Sequence, residues 1–269
     1  MKTTSHHITV PGGQLYARQW FGGNAAMPPI VLMHDSLGSV DLWRDWPERL
    51  AQHLGCRVIA YDRLGFGRSS ARDALPSARF INEEAERYFP ALYSQLELNE
   101  FVLFGHSVGG GMALTTAAQF PQQCRAVVSL AAQNGVEQRT VQGIQDAVRL
   151  FQQEDQFKRL EKWHGTKARW VLDAWSKTWL SDTFRDWQLT PSIADVECPV
   201  LVIHGENDEY GSQAFPEAIA SAVQGFSEMY ILENCAHVPH REQPELLLKL
   251  VTQFLEFHEL SGQLVRLSQ

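Results

Sequence analysis

Phe101-Val102-Leu103-Phe104-Gly105-His106-Ser107-Val108-Gly109-Gly110-Gly111 is the stretch on which the fold of this chain turns. Four consecutive apolar residues, Phe101 to Phe104, read as a short strand buried on both faces. Gly105 to Gly109 then has the form G-x-S-x-G. Apolar and small residues recur from Met112 to Phe120, as on a helix packed against a sheet. A serine at such a strand-to-helix corner is a nucleophile elbow. The spacing has a steric cause. The turn is sharp enough to strain the serine backbone, and strand and helix pass close to the positions two before and two after it, where a residue without Cβ fits. Taken alone, the stretch is also a Gly-rich turn that happens to hold a serine, so a base, an acid and an oxyanion hole must come from elsewhere.

Working outward, Ile30-Val31-Leu32-Met33, Arg57-Val58-Ile59-Ala60-Tyr61 and Ala126 to Ala131 are further apolar runs suited to buried parallel strands. Helical segments are expected between them, at roughly Leu42 to His53 and over about 79–97. Residues 8–20, around Pro11-Gly12-Gly13, read as an antiparallel hairpin at a sheet edge. After residue 192 the alternation resumes, with Pro199 to Gly205 and Glu228 to Leu232 as strands. Helices are expected from roughly Ser212 to Val223 and from about Pro244 to His258, with Leu260 to Gln269 as a loosely held tail. Strands alternating with helices at these lengths predict an α/β class: a mostly parallel central sheet with helices on both faces.

Between about Gln133 and Ser192 no strand-like run appears, and this interval holds five of the eight tryptophans. Val141, Ile144, Val148 and Phe151 keep helical spacing, as do Leu172, Trp175 and Trp179. The expected organisation is a core of residues 1–132 and 193–269 with a helical cap insertion over 133–192. Most of the insertion's aromatics are expected to pack within it. One or two, with Trp175 and Trp179 as candidates, are expected to face a substrate.

The chain has 269 residues, enough for one large domain or one domain with an insertion. A net charge of −8 argues against nucleic acid and anionic membranes as partners, since both need a basic footprint. Cys56, Cys124, Cys198 and Cys235 are far apart, form no C-x-x-C pair and read as buried reduced thiols. His6-His7 is too little for a metal site. No apolar segment approaches a membrane span or a signal peptide, which makes a cytoplasmic location the default. The expected partner is a small-molecule substrate, with the chain a monomer or homodimer.

A serine hydroxyl needs a base within hydrogen-bond reach, and in open α/β sheets reacting groups collect beyond the carboxyl ends of strands. Asp208 follows the 200–205 run and His237 follows the 228–232 run, so Ser107, Asp208 and His237 occur in the order associated with this elbow. Glu206 and Glu209 flank Asp208, and His240 stands three residues from His237. With Asp62-Arg63-Leu64-Gly65-Phe66-Gly67-Arg68-Ser69, Gly205-Glu206-Asn207-Asp208 and Glu242-Gln243-Pro244-Glu245 added to the elbow, the chain resembles the α/β-hydrolase superfamily over essentially its whole length. The resemblance implies the α/β-hydrolase fold with Ser107 as nucleophile, His237 as general base and acid, and Asp208 as its orienting carboxylate. It also implies a structural role for Asp62 as a loop brace.

The resemblance places the oxyanion hole at the backbone N–H groups of Val108 and Ser36, with Leu37 the alternative to Ser36 and a neighbour of substrate. Here the chain departs from the family pattern, because His34-Asp35 replaces the usual His-Gly. Enol-lactonases of the superfamily resemble the chain in a similar replacement followed by Ser-Leu-Gly. Asp35 either turns outward or adds a carboxylate that disfavours anionic substrates. The expected activity is that of a cofactor-free, metal-free serine hydrolase of small or medium esters, lactones or related carbonyl compounds. Carbon–carbon bond hydrolysis and perhydrolysis use the same residues. A ligand sensor on a hydrolase scaffold is the alternative from another class, and an exposed apolar patch on the insertion would favour it; an interaction module is a third.

Overall fold

The computed structural model describes residues 1–23 and 27–260. Its strands are β1 (Thr3–Val10), β2 (Gly13–Phe21), β3 (Ile30–Met33), β4 (Arg57–Tyr61), β5 (Phe101–His106), β6 (Cys124–Leu130), β7 (Val200–Gly205) and β8 (Ser227–Leu232). They form one eight-stranded sheet in the order β1-β2-β4-β3-β5-β6-β7-β8. The β1–β2 hairpin is antiparallel and joins β4 antiparallel, while every pairing from β4 through β8 is parallel. The sheet is therefore mostly parallel, and the hairpin lies at its edge, as expected. This is the α/β-hydrolase fold.

β5 sits in the middle and is buried at every position. Its side chains divide with period two: Phe101 and Leu103 join the core on one face, Val102 and Phe104 the core on the other. β3 does the same, with Val31 and Met33 opposite Ile30 and Leu32. Each such side chain stabilises the fold by roughly 1.5–3 kcal/mol through burial, so continuous apolar runs suit the sheet's centre and alternating ones its edge.

The helices are α1 (Trp46–Leu54), α2 (Phe80–Glu83), α3 (Phe89–Gln95), α4 (Val108–Gln119), α5 (Gln138–Leu150), α6 (Glu154–His164), α7 (Ala168–Trp179), α8 (Ala214–Ala222), α9 (Pro239–Glu242) and α10 (Pro244–Phe257). Two depart from expectation. The helix expected from Leu42 is divided into a 3₁₀ turn, Val40–Trp43, and α1, because Arg44 takes φ 56° and Pro47 begins a new first turn. The run expected over 79–97 contains a π-helical turn at Glu84–Tyr88 between α2 and α3. Pro90, in the first turn of α3, has no N–H for the preceding turn, and the wider π turn absorbs that missing rung.

Among the described residues, 133–192 contribute helices and turns and no strand. The tail expected from Leu260 falls, after Leu260 itself, outside the described residues. Leu260 is buried against the α10 side of the core. No described helix is long and apolar enough to cross a membrane.

Candidate active site

The corner after β5 follows from close packing. A Cβ at Gly105 would lie 2.0 Å from the Gly109 carbonyl oxygen, and a Cβ at Gly109 would lie 2.1 Å from the Met33 carbonyl oxygen. Neither contact is possible for a carbon atom, so both positions require glycine. Between them Ser107 adopts φ 56° and ψ −127°, a conformation that L-residues rarely take and that local packing must hold. Its N–H donates to the Leu130 carbonyl at 2.8 Å, continuing the β5–β6 ladder, and its own carbonyl accepts from Gly110 at 2.8 Å to start α4. Ser107 Oγ donates weakly to Gln133 Oε1 at 3.4 Å.

Asp208 and His237 occupy the loops after β7 and β8. His237 Nδ1 donates to Asp208 Oδ2 at 2.8 Å. The other oxygen of Asp208 accepts from the Tyr210 N–H at 2.8 Å, so the carboxylate cannot rotate without losing a bond. Burial pushes the Asp208 carboxyl upward, but the charge and hydrogen bond of His237 outweigh it and the net displacement is downward. Burial likewise pushes His237 down, the Asp208 carboxylate more than offsets it, and the histidine ends above its ordinary value. His204 Nε2 donates to the Gly211 carbonyl at 3.2 Å and lies 3.5 Å from Asp208 Oδ2.

The rival residues go elsewhere. Glu206 accepts from the exposed Asn234 N–H at 3.1 Å. Glu209 is exposed at the rim of the cavity. His240 is buried against Trp43, 4.9 Å between ring centroids, and burial holds it well below its ordinary value. Asp62 accepts from Val40 N–H at 2.6 Å and Arg68 N–H at 2.7 Å, bracing two loops.

The loop after β3 is almost fully spoken for. Asp35 Oδ1 accepts from the Leu37 N–H at 2.8 Å. The Asp35 carbonyl accepts from Gly38 N–H at 3.2 Å, His34 Nδ1 at 2.8 Å and Arg63 Nη2 at 2.7 Å. The Leu37 carbonyl accepts from His164 Nε2 at 2.9 Å. Among the described residues, the N–H groups of Ser36 and Val108 have no hydrogen-bond acceptor. Leu37, the alternative donor, has already spent its N–H on Asp35.

Ser36, Leu37, Ser107 and His237 line one cavity of about 220 Å³ with Trp175 and Trp179. The structure thus brings Ser36, Leu37, Ser107, Trp175, Trp179 and His237 into this cavity and Asp208 into contact with its wall, while Val108, the other expected N–H donor, is not among the residues that line it. Asp35, His106 and Glu209 line it too, together with Gln133, Thr140, Ile144, Tyr210 and Val238, five residues that were not anticipated. Gln133 stands three residues beyond the end of β6, and the same search beyond strand ends that found Asp208 and His237 would have reached it.

The cap is fastened to these same loops. Thr140 Oγ1 donates to the Tyr210 carbonyl at 2.6 Å, Glu137 accepts from Ser212 N–H at 3.0 Å, and Arg139 donates to the Asp208 carbonyl at 3.1 Å. On the other side, His164 Nδ1 accepts from Gly67 N–H at 2.9 Å while its Nε2 holds Leu37.

A family profile described as alpha/beta hydrolase fold matches residues 28–158. The chain is 22% identical to the proline iminopeptidase of Lactobacillus helveticus, covering 88% of this chain and 93% of that protein. It is 28% identical to the human serine hydrolase BPHL, covering 94% and 87%. Among solved structures, carboxylesterase CesB of Bacillus subtilis matches with a TM-score of 0.71 at 18% identity, over 95% of this chain and 92% of that one. With the sheet order, the elbow and these matches together, the chain has the α/β-hydrolase fold and is similar to members of that superfamily. The relatives named here are a peptidase, a serine hydrolase and a carboxylesterase.

Proposed function

We propose that the chain is a cofactor-free serine hydrolase of small, uncharged ester or lactone substrates. The observation that carries this reading is the 2.8 Å His237–Asp208 bond on the wall of the cavity into which the strained Ser107 projects. Ser107 Oγ is loosely held at 3.4 Å, so rotation about χ1 redirects it toward His237. Such bonds tighten when substrate arrives. His237 Nε2 takes the serine proton as Oγ attacks the carbonyl carbon. The imidazolium is stabilised by Asp208, which remains ionised. The N–H groups of Val108 and Ser36 receive the developing oxyanion, a service for which each donor typically contributes about 10²–10³ in turnover. His237 then protonates the leaving oxygen, activates water and releases the acyl group.

Cavity size and lining support the substrate class. At about 220 Å³ it falls below the roughly 300–1,000 Å³ of drug-sized sites, which favours acyl groups of few carbons. Leu37, Ile144, Trp175, Trp179 and Val238 give apolar walls, and neither lysine nor arginine lines the space. With Asp35 and Glu209 as the charged groups at hand, an anionic acyl group finds no counter-ion. The sensor alternative is disfavoured, since Leu150 and Leu180 are the large apolar residues of the insertion that stand exposed, and they are single residues rather than a patch.

The test is labelling with a fluorophosphonate and hydrolysis of a panel of short acyl esters, lactones and ring-cleavage diketones. Native protein is expected to be labelled at Ser107 and to hydrolyse acetyl esters, with Ser107→Ala silent in both assays. An unlabelled native protein, or esterase activity that survives Ser107→Ala, removes the reading. Turnover of the diketones alone moves the chain to carbon–carbon bond hydrolysis.

A further inference from the structure

Asp35 is the residue the mechanism above leaves idle, although it replaces the glycine usual in the superfamily. One oxygen of its carboxylate is hydrogen-bonded and the other approaches a buried histidine ring. Oδ1 accepts from Leu37 N–H at 2.8 Å, closing an Asx-type turn over the oxyanion loop. Oδ2 lies 3.3 Å from His106 Nδ1, a close approach without hydrogen-bond alignment. His106 is 1% exposed, and its other nitrogen, Nε2, lies 2.7 Å from the main-chain carbonyl of His237. A carbonyl only accepts, so Nε2 carries a proton. Burial pushes the Asp35 carboxyl upward, but the close contact with His106, with the Leu37 N–H, holds it far below the usual carboxylate range.

We propose that Asp35 is a positioning residue that ties the oxyanion loop to the backbone of the base through His106. The chain Leu37 N–H to Asp35 to His106 to His237 carbonyl links three separate places: the loop after β3, the corner that begins at the last residue of β5, and the loop after β8. Each of these places supplies one part of the reaction: the Ser36 donor, the nucleophile and the base. Asp35 spends the Leu37 N–H internally and leaves Ser36 as the donor that faces the serine. His106 then fixes the main chain of His237, while Asp208 fixes its ring. A glycine at position 35 offers neither contact.

This rests on the serine-hydrolase reading, and the readouts separate the two. Fluorophosphonate labelling of the native protein tests that reading by itself. For Asp35, kcat and KM are compared in Asp35→Ala, Asp35→Asn, His106→Leu and the Asp35→Ala/His106→Leu double variant, with thermal melts to establish folding. Asparagine can accept from Leu37 N–H through Oδ1 and donate through Nδ2 to His106 Nδ1, which keeps the chain of contacts intact. The expected result is a loss of roughly 10–100-fold in kcat for Asp35→Ala, with KM within about threefold. Asp35→Asn is expected to recover kcat to within about threefold of native, and the double variant to lose no more than the worse single one. Three results overturn the proposal: native kcat in Asp35→Ala, an Asp35→Asn no better than Asp35→Ala, or an effect confined to KM. The last would make Asp35 a substrate contact instead. Should His106→Leu fail to fold, the Asp35 pair decides alone.

Discussion

Replacing Asp208 by asparagine changes no volume, yet it reverses the hydrogen-bond logic of the base. One oxygen of Asp208 accepts from Tyr210 N–H at 2.8 Å and the other from His237 Nδ1 at 2.8 Å. An asparagine must keep its oxygen toward Tyr210, since an NH₂ group there would face a donor. Its NH₂ is then directed at His237 Nδ1, which has to accept. The ring proton moves to Nε2, the atom that should take the proton of Ser107. A base locked in the wrong tautomer typically costs about 10⁴ in kcat, or ~5.4 kcal/mol at 1.36 kcal/mol per decade. Glu206→Gln is the matched control. Glu206 accepts from an exposed N–H at 3.1 Å, an amide oxygen can do the same, and a surface change of this kind should stay within about twofold. Initial rates on p-nitrophenyl acetate give kcat and kcat/KM for both, and thermal melts verify folding. Equal losses in the two variants, or an Asp208→Asn within tenfold of native, would refute the assignment of Asp208 as the partner of His237.

Other outcomes follow from the same geometry. His237 must be neutral to act as base and its value lies above the ordinary 6.5, so kcat/KM should fall on the acid side with a midpoint above about 6.5; a midpoint well below that contradicts the Asp208 contact. Asp208 and Asp35 both have depressed values in the folded chain. Their stabilisation is therefore complete above roughly pH 4–5 and lost as pH falls toward the folded values, to be read from urea midpoints across that range. Gly109→Ala puts a Cβ 2.1 Å from the Met33 carbonyl oxygen, a backbone atom that cannot step aside. It should destabilise the chain by about 3 kcal/mol in urea unfolding, and an unchanged midpoint would refute the packing argument. A hemisuccinate ester should be turned over at least about tenfold more slowly than its propionate counterpart, because the carboxylates of Asp35 and Glu209 face it without a cation to offset them; equal rates would count against the charge reading of the cavity.

What could be read from the chain beforehand was whatever is local or periodic. The elbow was legible because G-x-S-x-G records a steric demand at fixed offsets, now visible as the near-contacts of Gly105 and Gly109. The positions of Asp208 and His237 were legible because strand ends are marked by the end of an apolar run. The π turn before Pro90 was not, since helical spacing averages over one extra residue. Nor was the use of Asp35: its partner His106 lies 71 positions away, and that residue's other partner, His237, another 131. Such a relation exists only once β3, β5 and β8 share a sheet. Similarly, the choice of Ser36 over Leu37 required knowing which N–H the Asp35 side chain takes.

The fastenings of the helical insertion bear on how such a protein changes its diet. Thr140, Arg139 and Glu137 grip the segment from Asp208 to Ser212, and His164 grips Leu37 and Gly67. On the proposed reading, the part of the chain that sets specificity is therefore riveted to the backbone that aligns the reacting groups. A foreign insertion grafted at residues 133–192 would import new walls and at the same time unbolt the acid and oxyanion loops. Retargeting by transplant should lower turnover on every substrate until those few rivets are restored, whereas altering Trp175 or Ile144 from within leaves them in place.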